Sequence, residues 1–83
     1  MRYTDDMRIV NVKRVSPIGW EVTTDTGAKY YANREPSSGS LKRVWTPPKQ
    51  ISVDGELGKK IKTAINKAAG SGPIPTGESR KLD

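Results

Sequence analysis

Two short segments of the sequence place cations beside aromatic rings. Residues 42–45 read Lys-Arg-Val-Trp, and residues 29–31 read Lys-Tyr-Tyr, with Arg34 shortly after them. Aromatic rings can stack on bases or sugars, while lysine and arginine neutralise phosphates. This combination of residue types favours a surface that binds nucleic acid.

The same rings are also candidates for the core, because the chain contains no Phe. Its Trp and Tyr residues must therefore supply much of the bulk of a buried interior. We expect Trp20 in the core. We expect Tyr31 outside with Lys29, since adjacent residues of a strand face opposite ways and Tyr30 then faces inward. Trp45 fits either location.

A second group of cations lies on a helix predicted over residues 54–70. Its apolar residues recur at helical spacing and form one stripe, which comprises Leu57, Ile61, Ala64, Ile65 and Ala68. The opposite arc carries Lys59, Lys60, Lys62 and Lys67, and the sequence has no acidic residue between 57 and 69. A solvated lysine face is the ordinary alternative, but like charges that repel one another also favour binding to an anion.

Three residues predict how this helix begins, packs and ends. Asp54 has the side chain of a good N-cap, and Gly70 is suited to end the helix in a left-handed conformation. Gly58 lies on the flank of the apolar stripe and is predicted to let the helix approach the sheet closely. A backbone nest for a phosphate is the alternative role of Gly58.

Charge is unevenly distributed along the chain, which has a net charge of +6 and a pI of about 9.8. Between positions 41 and 69 the acidic residues are Asp54 and Glu56, whereas the basic ones are Lys42, Arg43, Lys49, Lys59, Lys60, Lys62 and Lys67. Positions 1–35 are nearly balanced. Such asymmetry is informative about partners rather than about the fold.

The residue types present argue against an enzyme. The chain has neither His nor Cys, so the most common general base near neutral pH and the thiolate nucleophile are both missing. Asp5 and Asp6 form a carboxylate pair, but beside Arg2 and Arg8 they are typical of solvated surface acids. We therefore expect no catalytic residues, no cofactor and no metal site.

Segments with strand character precede the helix. The predicted strands are residues 8–15, 20–24, 28–33 and 41–46, and Ile51 with Val53 forms either a last short strand or the helix entrance. The first three are expected to form an antiparallel meander, with a hairpin turn at residues 25–27. The irregular alternation of the first strand indicates either a bulge or burial on both of its faces.

The predicted fold class is α+β: a small antiparallel sheet, or an SH3-like partial barrel, of three to five short strands closed by one C-terminal amphipathic helix. This layout is similar to that of chromo-like and other small SH3-type barrels that end in a helix. The domain is predicted to span residues 1–70 and to begin with a loose arm over residues 1–6. Residues 71–83 are polar and rich in Pro and Gly, so we expect a flexible tail that folding does not require.

The sequence favours a non-enzymatic nucleic-acid-binding module, with DNA preferred to RNA, weak sequence specificity and a role as an accessory factor in transcription or DNA transactions. The expected contact residues are Tyr31, Arg34, Lys42, Arg43, Trp45, Lys59, Lys62 and Lys67. The alternative is a small basic adaptor or inhibitor that docks on an acidic surface of a larger protein machine.

Location and assembly are less constrained by the sequence. Its apolar runs are too short to span a membrane, and its first residues lack the apolar core of a signal peptide. We therefore expect a cytoplasmic protein without a membrane partner. The oligomeric state stays open.

Overall fold

The computed structural model describes residues 8–82. Its strands are β1 (Ile9–Arg14), β2 (Gly19–Thr24), β3 (Lys29–Arg34), β4 (Leu41–Thr46), β5 (Lys49–Ile51) and β6 (Ser79–Lys81), and its helix is α1 (Glu56–Gly70). These strands form one antiparallel sheet in the order β5-β4-β3-β2-β1-β6. The predicted arm over residues 1–6 lies outside the described residues.

The α+β class and the small antiparallel sheet are therefore confirmed. Within the described residues the sheet has six strands, rather than the three to five that were predicted. It is also not closed into a barrel, so the SH3-like alternative does not apply. The additional strand, β6, comes from the segment that was expected to be a tail.

Alternation along the central strands follows the sequence pattern. In β2, Trp20, Val22 and Thr24 are buried, whereas the residues between them are half-buried on the other side. Gly27 has a φ of 89° in the turn to β3, a conformation that favours glycine. Of the two alternatives for the first strand, the structure has the bulge, because the register between β1 and β2 shifts between Ile9 and Asn11.

The core lies between one face of the sheet and the apolar stripe of α1. The fully buried residues Val12, Val22 and Val44 meet Ile61 and Ile65 of the helix. The prediction that Trp20 belongs to this core is confirmed, since it is 3% exposed. A short isolated helix is only marginally stable in water. Most of the stability of α1 therefore comes from burying this stripe against the sheet.

A close contact forms at Gly58, in the first turn of the helix, but its partner is the segment over residues 52–55 that precedes the helix and not the sheet, which ends at Ile51. A Cβ atom at this position would lie 2.7 Å from the carbonyl oxygen of Val53 and would also collide with the backbone of Ser52. The predicted cap is wrong by one residue. Gly55, rather than Asp54, is the N-cap, and the cap has no side-chain hydrogen bond.

The predicted end of the helix is also wrong in its geometry. Gly70 is still helical, and Ser71 follows it as the C-cap in a right-handed conformation. The terminal carbonyl groups are satisfied in another way. The backbone N–H of Ser71 donates to Ala68 O, and Arg80 Nη1 donates to the same oxygen at 2.6 Å.

The segment after α1 packs on the domain and does not match the predicted flexible tail. Ile74 is 3% exposed and belongs to the core. Arg14 Nη1 donates to Ile74 O at 3.1 Å, and Arg80 Nη1 donates to Gly72 O at 3.0 Å. β6 then pairs antiparallel with β1. Ile74, the partly buried Leu82, two arginines and the pairing of β6 with β1 thus attach a segment whose average composition is polar.

Candidate nucleic-acid interface

The eight residues predicted to bind nucleic acid are divided among three places. Three of them, Lys59, Lys62 and Lys67, lie on α1 and form what we call the helix lysine face. A second group consists of Tyr31, Arg43 and Trp45 and lies on the side of the sheet that faces away from the helix, which we call the open sheet face. The remaining two, Arg34 and Lys42, lie beside the loop over residues 35–40.

Strand register brings the two rings of the open sheet face together. Tyr31 of β3 is directly opposite Trp45 of β4, and both have the strand parity opposite to that of the buried Ala32 and Val44. The prediction that Tyr31 lies outside the core is confirmed, as Tyr30 packs against the core instead. Trp45 is half-buried on the open sheet face, so it does not belong to the central core.

The rings and one guanidinium form a compact cluster. The ring centroids of Tyr31 and Trp45 are 5.9 Å apart, with planes inclined at 27°. The Arg43 guanidinium carbon lies 4.6 Å from the centroid of the Trp45 ring. We call these three side chains the Arg43–Trp45–Tyr31 cluster. Offset stacking of this kind is favourable, and a cation over an indole adds an electrostatic attraction.

The open sheet face carries other cations on β1, β3 and β6. Lys13 is opposite Glu21, and Lys81 of β6 is opposite Asn11. Lys29 is paired weakly with Glu21 at 3.9 Å. Among the described strand residues of this face, Glu21 is the one acid. The face is therefore basic.

Sequence reasoning missed Lys13 and Lys81 as members of this face. The alternation of β1 contained a signal for Lys13, because the buried Val12 places its neighbour on the other side. Lys81 had no comparable signal. It reaches the face through the pairing of β6 with β1, and that segment was predicted to be a flexible tail.

The helix lysine face surrounds an open depression of about 790 Å³, which is lined by its three lysines together with Thr63 and Asn66. All three lysine side chains are exposed. Within residues 8–82 none of their ammonium groups forms an ion pair. Three like charges are thus concentrated on one side of one helix, with no neutralising partner in the part of the chain that the structure describes.

Arg34 and Lys42 are already engaged within the protein. Arg34 Nε donates to Asn66 Oδ1 at 2.7 Å, and Asn66 Nδ2 donates to Gly39 O at 3.1 Å. These bonds join β3, the helix and the loop over residues 35–40. Lys42 Nζ lies 3.2 Å from Glu35 Oε2, which partly offsets its charge. Both residues are therefore less available to a phosphate than the helix lysines are.

The helix lysine face and the open sheet face lie on opposite sides of a two-layer domain. The domain measures 21 Å along its shortest axis. A rigid ligand that lies along one surface therefore does not reach the other.

No group of three or more Asp and Glu side chains in residues 8–82 is arranged to hold a metal ion. The helix of this part of the chain is too short and too polar to cross a membrane. No protein-family model, curated protein or solved structure matches the chain.

Proposed function

We propose that this protein is a non-enzymatic nucleic-acid-binding module whose affinity for duplex DNA comes from phosphate contacts of the helix lysine face. The observation that carries this proposal is the set of three exposed lysines without an ion-pair partner in residues 8–82. Lys59 and Lys67 are separated by about 12 Å along the helix at about 1.5 Å per residue. One strand of B-DNA presents three to four phosphates over that axial length, at about 3.4 Å each.

Weak sequence preference follows from the same surface. Phosphate contacts position a protein on DNA but carry no sequence information. Asn66 has an amide of the kind that reads base edges. Its Oδ1 already accepts a hydrogen bond from Arg34, however, and its Nδ2 already donates one to Gly39 O. A binder of this kind suits an accessory role in transcription or another DNA transaction in the cytoplasm, where it would act on many sequences.

The test is fluorescence anisotropy on a random-sequence duplex over a range of salt concentrations. Replacing Lys59, Lys62 and Lys67 together with Gln retains helix propensity while lowering the net charge from +6 to +3. Each lost phosphate contact should flatten the log–log salt dependence by about 0.9, so the slope should fall by about 2 to 3 units.

The matched control replaces Lys13, Lys29 and Lys81 with Gln, which changes the net charge equally on the open sheet face. Its salt slope for duplex DNA should stay within about 1 unit of the wild-type value. Equal losses from the two triple variants would show that net charge alone attracts the duplex. Absence of duplex binding by the wild-type protein at about 50 mM salt and tens of micromolar protein would contradict the proposal.

A small basic adaptor or inhibitor is the second candidate, and two exposed apolar side chains in one turn favour it. Val15 and Ile18 are 43% and 48% exposed in the turn between β1 and β2. Ile74, in contrast, is buried and is not available to a partner. An adaptor should bind an acidic protein in a salt-sensitive way and bind DNA little near physiological ionic strength. Substituting Val15 and Ile18 with Ser should then weaken the protein complex and leave any DNA binding unchanged.

A further inference from the structure

The Arg43–Trp45–Tyr31 cluster is not explained by contacts to duplex phosphates. It lies on the side of the sheet opposite to the helix lysine face, and its rings contact each other rather than the core. A polar outer face is ordinary for an antiparallel sheet. A half-exposed Trp that is paired with a Tyr and covered by an Arg has the residue types of a stacking platform for bases.

We propose that the open sheet face binds unpaired bases of single-stranded nucleic acid, with the Arg43–Trp45–Tyr31 cluster as the stacking platform. This inference rests on the proposed function and adds a second ligand class at a second surface. Bases stack on aromatic rings and on the planar guanidinium of arginine. A base can therefore extend the cluster from Arg43 or from Tyr31 without breaking the contact between the two rings.

Charge complementarity supports this occupant and gives the strand a path. Lys29 and Lys81 lie on the row of the open sheet face that runs through Thr23 and Asn11, beside the row that carries the rings. Glu21 lies in the ring row and repels phosphate. Bases would therefore occupy the ring row, while the backbone follows the lysine row.

The dimensions fit a short segment of single strand. Neighbouring strands are about 4.8 Å apart, so three strand intervals separate Trp45 on β4 from Lys13 on β1 by about 14 Å. About four nucleotides occupy that length at a stacked spacing of about 3.4 Å. Arg43 and Lys13 thus lie near the two ends of the expected contact.

A duplex cannot use this platform in the same way. Its bases are stacked on one another, and a sheet face has no protruding helix or ribbon to enter a groove. The cluster should therefore contribute to binding of single strands and not of duplexes. A single strand, being flexible, gains the stacking contacts whichever base it presents, so we expect weak base preference.

Intrinsic fluorescence reports on this contact in the unmodified protein. The two tryptophans differ, because Trp20 is 3% exposed in the core whereas Trp45 is at the surface. Titration with oligothymidylate and with oligouridylate should quench Trp45, and a duplex of equal length should not. Quenching by both oligonucleotides assigns the site to single strands in general, and quenching by one of them assigns it to DNA or to RNA.

Variants locate the contact. Tyr31→Ala and Trp45→Ala should each weaken single-strand binding by about 5- to 150-fold and leave its salt slope and duplex affinity nearly unchanged. Trp45→Phe, which keeps a ring, should retain most of the affinity. Thermal melting shows whether each variant is folded. If a variant is not folded, the fluorescence titration of the wild-type protein tests single-strand binding in its place.

The outcomes separate this inference from the proposed function. Duplex binding without quenching of Trp45 by single strands would overturn the stacking platform and leave the phosphate-binding helix intact. Equal losses of duplex and single-strand affinity in folded Trp45→Ala would also overturn it. Absence of binding to either ligand at about 50 mM salt would overturn both proposals.

Discussion

Ile74→Ala tests whether the segment after α1 is part of the folded domain. Ile74 is 3% exposed and packs in the core, and its carbonyl oxygen accepts a hydrogen bond from Arg14. The substitution removes three carbons, which costs about 2.4 kcal/mol at about 0.8 kcal/mol per buried carbon. A cavity contributes further, but a segment at the edge of the core can partly collapse into it, so we expect a total of about 2.5 to 4 kcal/mol.

Thermal and urea unfolding measure this loss. For a chain of this size each kcal/mol lowers the Tm by about 4 to 8 °C, so the Tm should fall by about 10 °C or more. Thr76→Ala is the matched control, because Thr76 is exposed in the same segment and its replacement should change stability by less than about 0.5 kcal/mol. An Ile74→Ala protein as stable as this control would refute the packing of the segment.

Two further predictions test the packing of the helix, one against the sheet and one against the segment over residues 52–55. Ile61 is fully buried, so Ile61→Asp should unfold the domain at a cost of several kcal/mol, and a cooperative melt near the wild-type Tm would contradict the packing. Gly58→Ala should destabilise by about 1 to 3 kcal/mol, because the new Cβ meets the backbone of Val53, whereas helix propensity alone predicts a gain of about 1 kcal/mol. Gly70→Ala is its control and should be neutral or stabilising, since Gly70 is helical with open space around it.

Local patterns were sufficient to predict the elements that form the core. The stripe through Ile61 and Ile65 and the alternation of Trp20 with Val22 follow from the periods of helix and strand, and both are confirmed. A close contact at Gly58 was also predicted from its place beside that stripe, but the prediction named the sheet as its partner, whereas the partner is the segment over residues 52–55. These features depend on residues that are near one another in the sequence.

Features that depend on distant partners could not be predicted in the same way. The carbonyl groups at the end of α1 are satisfied by Arg80, which arrives from β6, so Gly70 is not needed as a left-handed stop. Composition averaged over residues 71–83 conceals the burial of Ile74. A segment of polar composition can thus be fixed by two apolar side chains, Ile74 and Leu82, together with hydrogen bonds and strand pairing to β1.

The candidate site likewise contains features that local sequence predicted and features that depend on distant partners. Helical spacing predicted that Lys59, Lys62 and Lys67 share one face, and they do. The cluster of Tyr31 with Trp45 depends on the register between β3 and β4, which shifts between Asn33 and Arg34 and cannot be read from local sequence. Adjacent cations at positions 42 and 43 looked like one group but have different partners.

An amide NMR titration of the labelled protein with a short random duplex tests the central claim most directly, because it detects binding and locates it in one measurement. We expect the largest shifts at the amides of residues 59–67 on α1, with the strands of the open sheet face little affected. Absence of any shift at about 50 mM salt would contradict nucleic-acid binding. Shifts confined to residues 15–18 would instead indicate that the helix lysine face is only a solvated surface.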